Sequence, residues 1–275
     1  MDWLRSPERD LETLKELIAS RRLIPFIGAG FSIPLGLPSW EGLIDHVADE
    51  LNYDADVFKS EGNYLQLAEY YILVRGRIGE LRSYLDRSMN SSSIEIENSK
   101  AHMLLVELNA PIIYTTNYDD WIERSHQVCG KRYHSIVTID DMVRAEPDVI
   151  QIVKFHGSLT LDDSLVIAES HYFDRLSFTS ALDIKLRNDM LGRSLMFLGY
   201  SFEDINLRYM WYQLMKLWQQ TGHSSASMPL SYFVGFGMGE IQKLILKRRY
   251  NIVCIELDPG SRTESIIRFL EYLLS

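Results

Sequence analysis

The sequence predicts an α/β fold built on a parallel sheet, and three observations carry that expectation. Short apolar runs alternate with longer amphipathic segments, the pattern of strands joined by helical crossovers. Four of those runs end in glycine or small polar residues, as strands do where their carboxyl ends face a ligand. One long stretch near the start breaks the rhythm with helical periodicity alone. A chain of 275 residues, 46% of them hydrophobic, can bury one large core, so we expect a single domain over 1–275 carrying a helical insertion.

Six core strands are expected, at residues 23–27, 112–115, 150–155, 194–198, 231–235 and 252–257. Helical patterns near 10–20, 118–127, 176–190, 204–219, 240–249 and 262–273 repeat apolar residues at three- and four-residue steps. Between about 40 and 108, Leu43, Val47 and Leu51, then Leu65, Ala68, Tyr71 and Ile72, then Ile78, Leu81 and Leu85 mark helices with no strand among them. This stretch reads as a helical module inserted after the first strand. Residues 89–93 and 222–227 are polar and read as surface loops.

Composition removes several function classes. The chain has two cysteines, Cys129 and Cys254, far apart in sequence, which excludes a disulfide framework and a four-cysteine zinc site. A net charge of −10 and a pI near 5.2 would repel a phosphate backbone, so direct nucleic-acid binding is not expected. The first ten residues are charged, and no segment reaches the roughly 20 apolar residues of a membrane span. The expected location is the cytoplasm.

The first strand runs into Gly28-Ala29-Gly30-Phe31-Ser32, where two glycines let the backbone turn tightly and approach a bound phosphate. Ile33 stands where the usual dinucleotide fingerprint has its third glycine, so a plain strand–helix turn is the competing reading. No Walker-type loop is present. The second strand ends in Thr115-Thr116-Asn117-Tyr118-Asp119, a cluster of hydroxyls, amide and carboxylate before a helix. Helix capping would account for one of these polar residues and leave the others unexplained. The third ends in Lys154-Phe155-His156-Gly157-Ser158, and the fourth in Gly199-Tyr200-Ser201-Phe202. A lone histidine is more often structural than catalytic. Four strand ends of this kind at one sheet edge point instead to a site.

In that order, Gly28-Ala29-Gly30-Phe31-Ser32, Thr116-Asn117-Tyr118-Asp119, His156-Gly157-Ser158 and Gly199-Tyr200-Ser201 resemble the motifs of the sirtuin superfamily over roughly residues 20 to 260. The likeness is greatest to the zinc-less sirtuin-like NADase domains of prokaryotic anti-phage defence systems. It implies a Rossmann-like sheet and, in place of the deacylase Asp-Phe-Arg, the segment Gly36-Leu37-Pro38-Ser39-Trp40 found here. Ile167-Ala168-Glu169-Ser170 stands near where deacylases pair with an acyl-lysine peptide, and the zinc cysteines are missing, which puts deacylation in doubt.

What the resemblance implies is an NAD+ glycohydrolase that cleaves the nicotinamide–ribose bond and depletes NAD during antiviral defence. NAD+ would be the substrate, with no zinc. Asn117 would hold the nicotinamide ribose or orient the attacking water, and His156 would accept a proton. Gly28, Ala29, Gly30 and Ser32 would hold the pyrophosphate, Thr116 and Asp119 the ribose or nicotinamide pocket, and Gly199 and Ser201 the adenosine side. Glu256 could bond the adenosine ribose or could be a solvated strand-end carboxylate. A non-catalytic NAD or ADP-ribose sensor would share every pocket motif. Because an NAD-consuming site must be gated, the family implies a homo-oligomer or a separate partner such as a HerA-type ATPase or another defence sensor. The aromatic helix at 211–218 or the inserted helices are candidate surfaces, though those faces could equally be core.

Overall fold

The computed structural model describes residues 4, 6, 8–200, 205–220 and 229–275. Helix α1 (Glu8–Ala19) leads into strand β1 (Leu23–Ile27), which is followed by two 3-10 turns and helices α2 (Trp40–Glu50), α3 (Ala55–Ser60), α4 (Tyr64–Arg75), α5 (Gly79–Met89) and α6 (Lys100–Glu107). Then come β2 (Ile112–Thr115), α7 (Trp121–Val128), β3 (Tyr133–Ile136), α8 (Ile139–Arg144), β4 (Ile150–Lys154), α9 (Glu169–Arg175), α10 (Ala181–Gly192) and β5 (Ser194–Leu198). The chain closes with α11 (Ile205–Gln220), β6 (Ser231–Phe236), α12 (Glu240–Tyr250), β7 (Ile252–Leu257) and α13 (Arg262–Leu274).

The seven strands form one parallel sheet in the order β3-β4-β2-β1-β5-β6-β7. After β4 the chain crosses from one side of β1 to the other to begin β5. The crevice beyond β1 is therefore a topological switch point, where open α/β sheets bind ligands. The expected parallel α/β sheet is present with one strand more than the sequence indicated. Tyr133–Ile136 is only four residues long, lies at the sheet edge and buries Ile136 alone, so it lacks an apolar run.

Alternation along the strands divides the core. Leu23 and Ile27, with Ile113, Ile152 and Leu198, face α1, α6 and α13 through Leu11, Leu14, Leu105, Phe269 and Leu270. Ile24 and Phe26, with Tyr114, Val153 and Phe197, face α10 and α11 through Leu186, Met210 and Trp211. A third cluster joins Leu43, Val47, Phe58, Tyr71, Leu81 and Leu85 of α2–α5 to Tyr118, Leu159 and Ile167. The helices between β1 and β2 thus divide. Helices α2–α5 build a small core of their own over the strand-end loops, whereas α6 packs into the main sheet layer.

The helix expected over 176–190 is present as α10 but starts only at Ala181, because Phe178 has φ +51° and Ser180 caps α10, its side chain accepting the Asp183 amide; α9, which ends at Arg175, is a separate helix before it. On α11, Trp211 is core and its indole N–H donates to the Tyr250 carbonyl at 2.6 Å, while Tyr209 and Tyr212 are exposed. The loop at 222–227, Ser201 and the Trp218 side chain lie outside the described residues. No described helix is long and apolar enough to cross a membrane.

Candidate active site

Register brings the two proposed reacting residues to one edge. Thr115 of β2 pairs with Lys154 of β4 in the parallel ladder, and Asn117 and His156 each lie two residues beyond that pair. Both side chains are buried. The Thr115 hydroxyl donates to the Ile27 carbonyl at 3.0 Å and accepts the Asn117 amide at 3.0 Å, which ties the loop after β2 to the end of β1.

Asn117 is not the helix cap that its position allowed. Its side-chain nitrogen turns back to the first strand end, donating to the Gly28 carbonyl at 3.4 Å and to Ser32 Oγ at 3.3 Å. Its Oδ1 is buried with no hydrogen-bond partner among the described residues. Leaving such an acceptor dry costs about 1–3 kcal/mol, so it marks where a donor from a ligand belongs. The N-cap position of α7 is Asp120, which makes no side-chain cap bond; Asp119 Oδ1 accepts the Trp121 amide at 3.2 Å at the start of the helix. Thr116 is half-buried, and its amide donates to the Ile27 carbonyl at 3.2 Å.

Two buried cations brace these loops from behind, and neither was given a role from sequence. The Lys154 ammonium, wholly buried, donates to the Asp119 carbonyl and lies 3.5 Å from Glu123 and 3.9 Å from Asp120. Burial pushes the Asp119 carboxyl up to about 6, against the opposing pull of Lys154. Deleting one partner of such a buried set typically costs about 3–5 kcal/mol. Arg175 of α9 donates to the Phe155 carbonyl, pairs with Asp183 and stacks its guanidinium 4.0 Å above the Phe155 ring. From the same helix Tyr172 meets the His156 ring edge-on at 5.4 Å. Gly157, at φ +87°, makes the exit after His156; a Cβ there would lie 2.1 Å from the Ser164 carbonyl oxygen.

The β1–β5 side is built from backbone. The Gly28 amide donates to the Leu198 carbonyl at 2.9 Å and the Gly30 amide to the Gly199 carbonyl at 2.8 Å. Gly199 has φ +64°, and a Cβ there would lie 2.2 Å from the Phe31 nitrogen. The glycines therefore let two strand-end turns touch each other. The amides of Gly28, Gly30, Phe31 and Ser32 already donate to carbonyls within the chain; the exposed Ala29 amide is not among them. Ser32 is buried beneath Asn117. Ser201, expected on the adenosine side, lies outside the described residues.

A model of the SIR2-like domain matches residues 111–255, more than half of the chain. This chain belongs to the SIR2-like domain family. The SIR2-like domain here is 30% identical over 214 residues to the NAD(+) hydrolase ThsA of Cytobacillus dafuensis, covering 78% of this chain and 42% of that protein. It is 31% identical over 201 residues to the NAD(+) hydrolase ThsA of Enterococcus faecium, covering 72% and 41%. To the Defense-associated sirtuin 2 of Bacillus subtilis it is 23% identical over 231 residues, 78% of this chain and 21% of that one. The chain thus spans about two-fifths of the length of the ThsA proteins it matches. A solved structure titled "Structural Basis for the Mechanism and Regulation of Sir2 Enzymes" superposes with a TM-score of 0.51 at 13% identity, covering 97% of this chain and 98% of that one, which establishes the shared fold.

Glu256 of β7 stands apart. Its carboxylate is paired with Lys243 of α12 at 2.5 Å, and β7 is the edge strand, three places from β1. Cys129 is exposed after α7 and Cys254 lies in β7. Among the described residues no group of three or more His, Cys, Asp or Glu side chains is arranged to hold a metal ion.

Proposed function

We propose that this SIR2-like domain hydrolyses NAD+ at the nicotinamide–ribose bond, and that its biological output is NAD depletion in anti-phage defence. The observation that carries the reading is the buried Oδ1 of Asn117, which has no hydrogen-bond partner among the described residues and lies in register with His156 at the switch-point edge. An acceptor in that position suits a ribose hydroxyl or the attacking water. The names of the ThsA relatives support NAD+ as the substrate.

The chemistry asks little of the protein. The nicotinamide nitrogen is cationic in NAD+, so it departs as a neutral ring carrying the bonding electron pair, without a general acid. A water oxygen forms the new bond to C1′ as the C1′–nitrogen bond breaks, and its proton is released. The products are nicotinamide, ADP-ribose and one proton. Asn117 orients the water or the ribose through Oδ1, His156 accepts the proton, and the turn at Gly28–Ser32 holds the pyrophosphate. The Ala29 amide and the Ser32 hydroxyl are the groups of that turn best suited to the phosphates. In this reading Thr116 and Asp119 serve the ribose side and Gly199 the adenosine side, a role that the motif also gives to Ser201.

An NAD-consuming site needs a gate, and we assign it to assembly, either of copies of this chain or with a separate protein such as a HerA-type ATPase or other defence sensor. Exposed apolar side chains on α4 (Leu73, Val74) and α12 (Ile241, Leu244) support a contact surface. NAD+ as the substrate supports a cytoplasmic site of action. The test is chromatography of NAD+ incubated with the protein at concentrations spanning its self-association, and with the neighbouring gene product. Stoichiometric nicotinamide and ADP-ribose are expected. Tight nucleotide binding with no nicotinamide under any of these conditions would make the domain a sensor instead.

A further inference from the structure

The geometry points to Lys154 as a positioning residue that locks the Asn117 loop to the strand carrying His156. Lys154 is wholly buried at the end of β4, two residues before His156. Its ammonium donates to the main-chain carbonyl of Asp119, two residues after Asn117. A side chain of one proposed reacting strand thus grips the backbone of the loop that bears the other. Thr115 anchors the near end of that loop to β1, and Lys154 anchors its far end to β4.

The charge is held there at a cost that packing alone does not explain. A buried ammonium needs compensating groups. The chain supplies Glu123 at 3.5 Å and Asp120 at 3.9 Å, with the Asp119 carboxylate also close enough to interact, all from the loop and first turns of α7. An apolar side chain would fill the space without requiring any of these. What a lysine adds is a charged hydrogen bond aimed at one carbonyl, stronger than a neutral one and directional. The relative placement of Asn117 and His156 follows from it, because small misplacements of reacting groups are costly in rate.

The inference rests on the hydrolase reading for its kinetic consequence and on the loop's anchoring for its physical one, and the test separates the two. Lys154→Met should lower kcat for nicotinamide release at least tenfold while KM for NAD+ stays within threefold, and amide exchange across 117–120 should quicken at least tenfold. Trp211→Phe, which removes the buried hydrogen bond to the Tyr250 carbonyl, should leave kcat and that exchange unchanged at a comparable loss of melting temperature. Lys154→Met/Glu123→Gln, which buries one fewer unpaired carboxylate, gives the same readings if the single variant does not fold. In the unmodified protein, amides at 117–120 should open together with those of β4. A folded Lys154→Met protein with kcat within twofold of the parent, or a parent loop that opens independently of β4, would overturn the assignment. Absence of turnover in the parent would count against the hydrolase reading alone, because the exchange measurements still judge Lys154.

Discussion

The two sides of the strand-end crevice are made of different materials. On the β1–β5 side, Gly28, Gly30 and Gly199 let two backbone turns lie against each other, and amide-to-carbonyl bonds hold them. On the β2–β4 side the closest features are side chains: Asn117 and His156 in front, with Lys154 and Arg175 gripping the backbone behind them. The contrast teaches where each kind of change should act. At Gly28, Gly30 and Gly199 the first side has no space for a Cβ, so substitutions at those glycines act through shape. The second side holds buried charge, so substitutions there act through chemistry and pH.

The largest effect should come from the chemical side. His156→Ala is expected to lower kcat by about 10²–10⁴-fold, the usual contribution of a general base, with ADP-ribose affinity by calorimetry changed less than threefold. A loss below tenfold would remove β4 from the reacting centre. Gly199→Ala should act the other way, costing about 2–4 kcal/mol in denaturant unfolding because a left-handed backbone and a close contact are both strained. Ala29→Ser, exposed on the same turn, should cost under about 0.5 kcal/mol. Equal effects of the two would dissolve the shape argument.

The pH behaviour sharpens the comparison further. Burial raises the Asp119 carboxyl to about 6 and lowers the His102 imidazole, packed 4.8 Å from the Phe31 ring, to about 4. Folded protein holds the Asp119 proton more tightly than the unfolded chain does. That contribution is present below about pH 4 and is lost as pH rises through 6. His102 works in the opposite sense, stabilising above about 6.5 and losing that stability as pH falls towards 4. The two slopes oppose each other between pH 4 and 6. Asp119→Asn should therefore lose about 2 kcal/mol more than the parent between pH 6.5 and pH 4, read from urea midpoints. Parallel profiles would contradict the buried-carboxylate account. Smallest of all, Glu256→Gln should change NAD+ affinity less than threefold, since Lys243 already engages that carboxylate. A tenfold loss would extend the site to β7.

The same contrast explains what could be read in the sequence. Strand-end glycines and polar residues stand immediately after apolar runs, so the loops at Gly28, Asn117, His156 and Gly199 were visible without coordinates. Strand β3 was not, because a four-residue edge strand that buries one side chain leaves no apolar signature. The helix expected over 176–190 begins late, at Ala181, for a local reason, the left-handed Phe178 and the Ser180 cap. Lys154 and Arg175 were hidden for a tertiary one. A lysine at the end of an apolar strand looks like a solvated terminus, and the carboxylates that compensate it come from α7 and the loop before it, brought close by the β2–β4 register. The polar residues after β2 also divide in a way that composition cannot reveal: Asp119 accepts the first amide of α7, and Asn117 turns to Gly28.

In the proposed mechanism Asn117 presents a buried acceptor to the nicotinamide ribose or its attacking water. The direct measurement is quantification of nicotinamide and ADP-ribose formed from NAD+ by the parent and by Asn117→Ala under identical assembly conditions. Equal amounts of the two products are expected from the parent, and from the variant a rate at least about 100-fold lower, on the scale of losing one oriented polar group at a reacting centre. ADP-ribose binding should be retained. An Asn117→Ala protein that releases nicotinamide at the parental rate would contradict it.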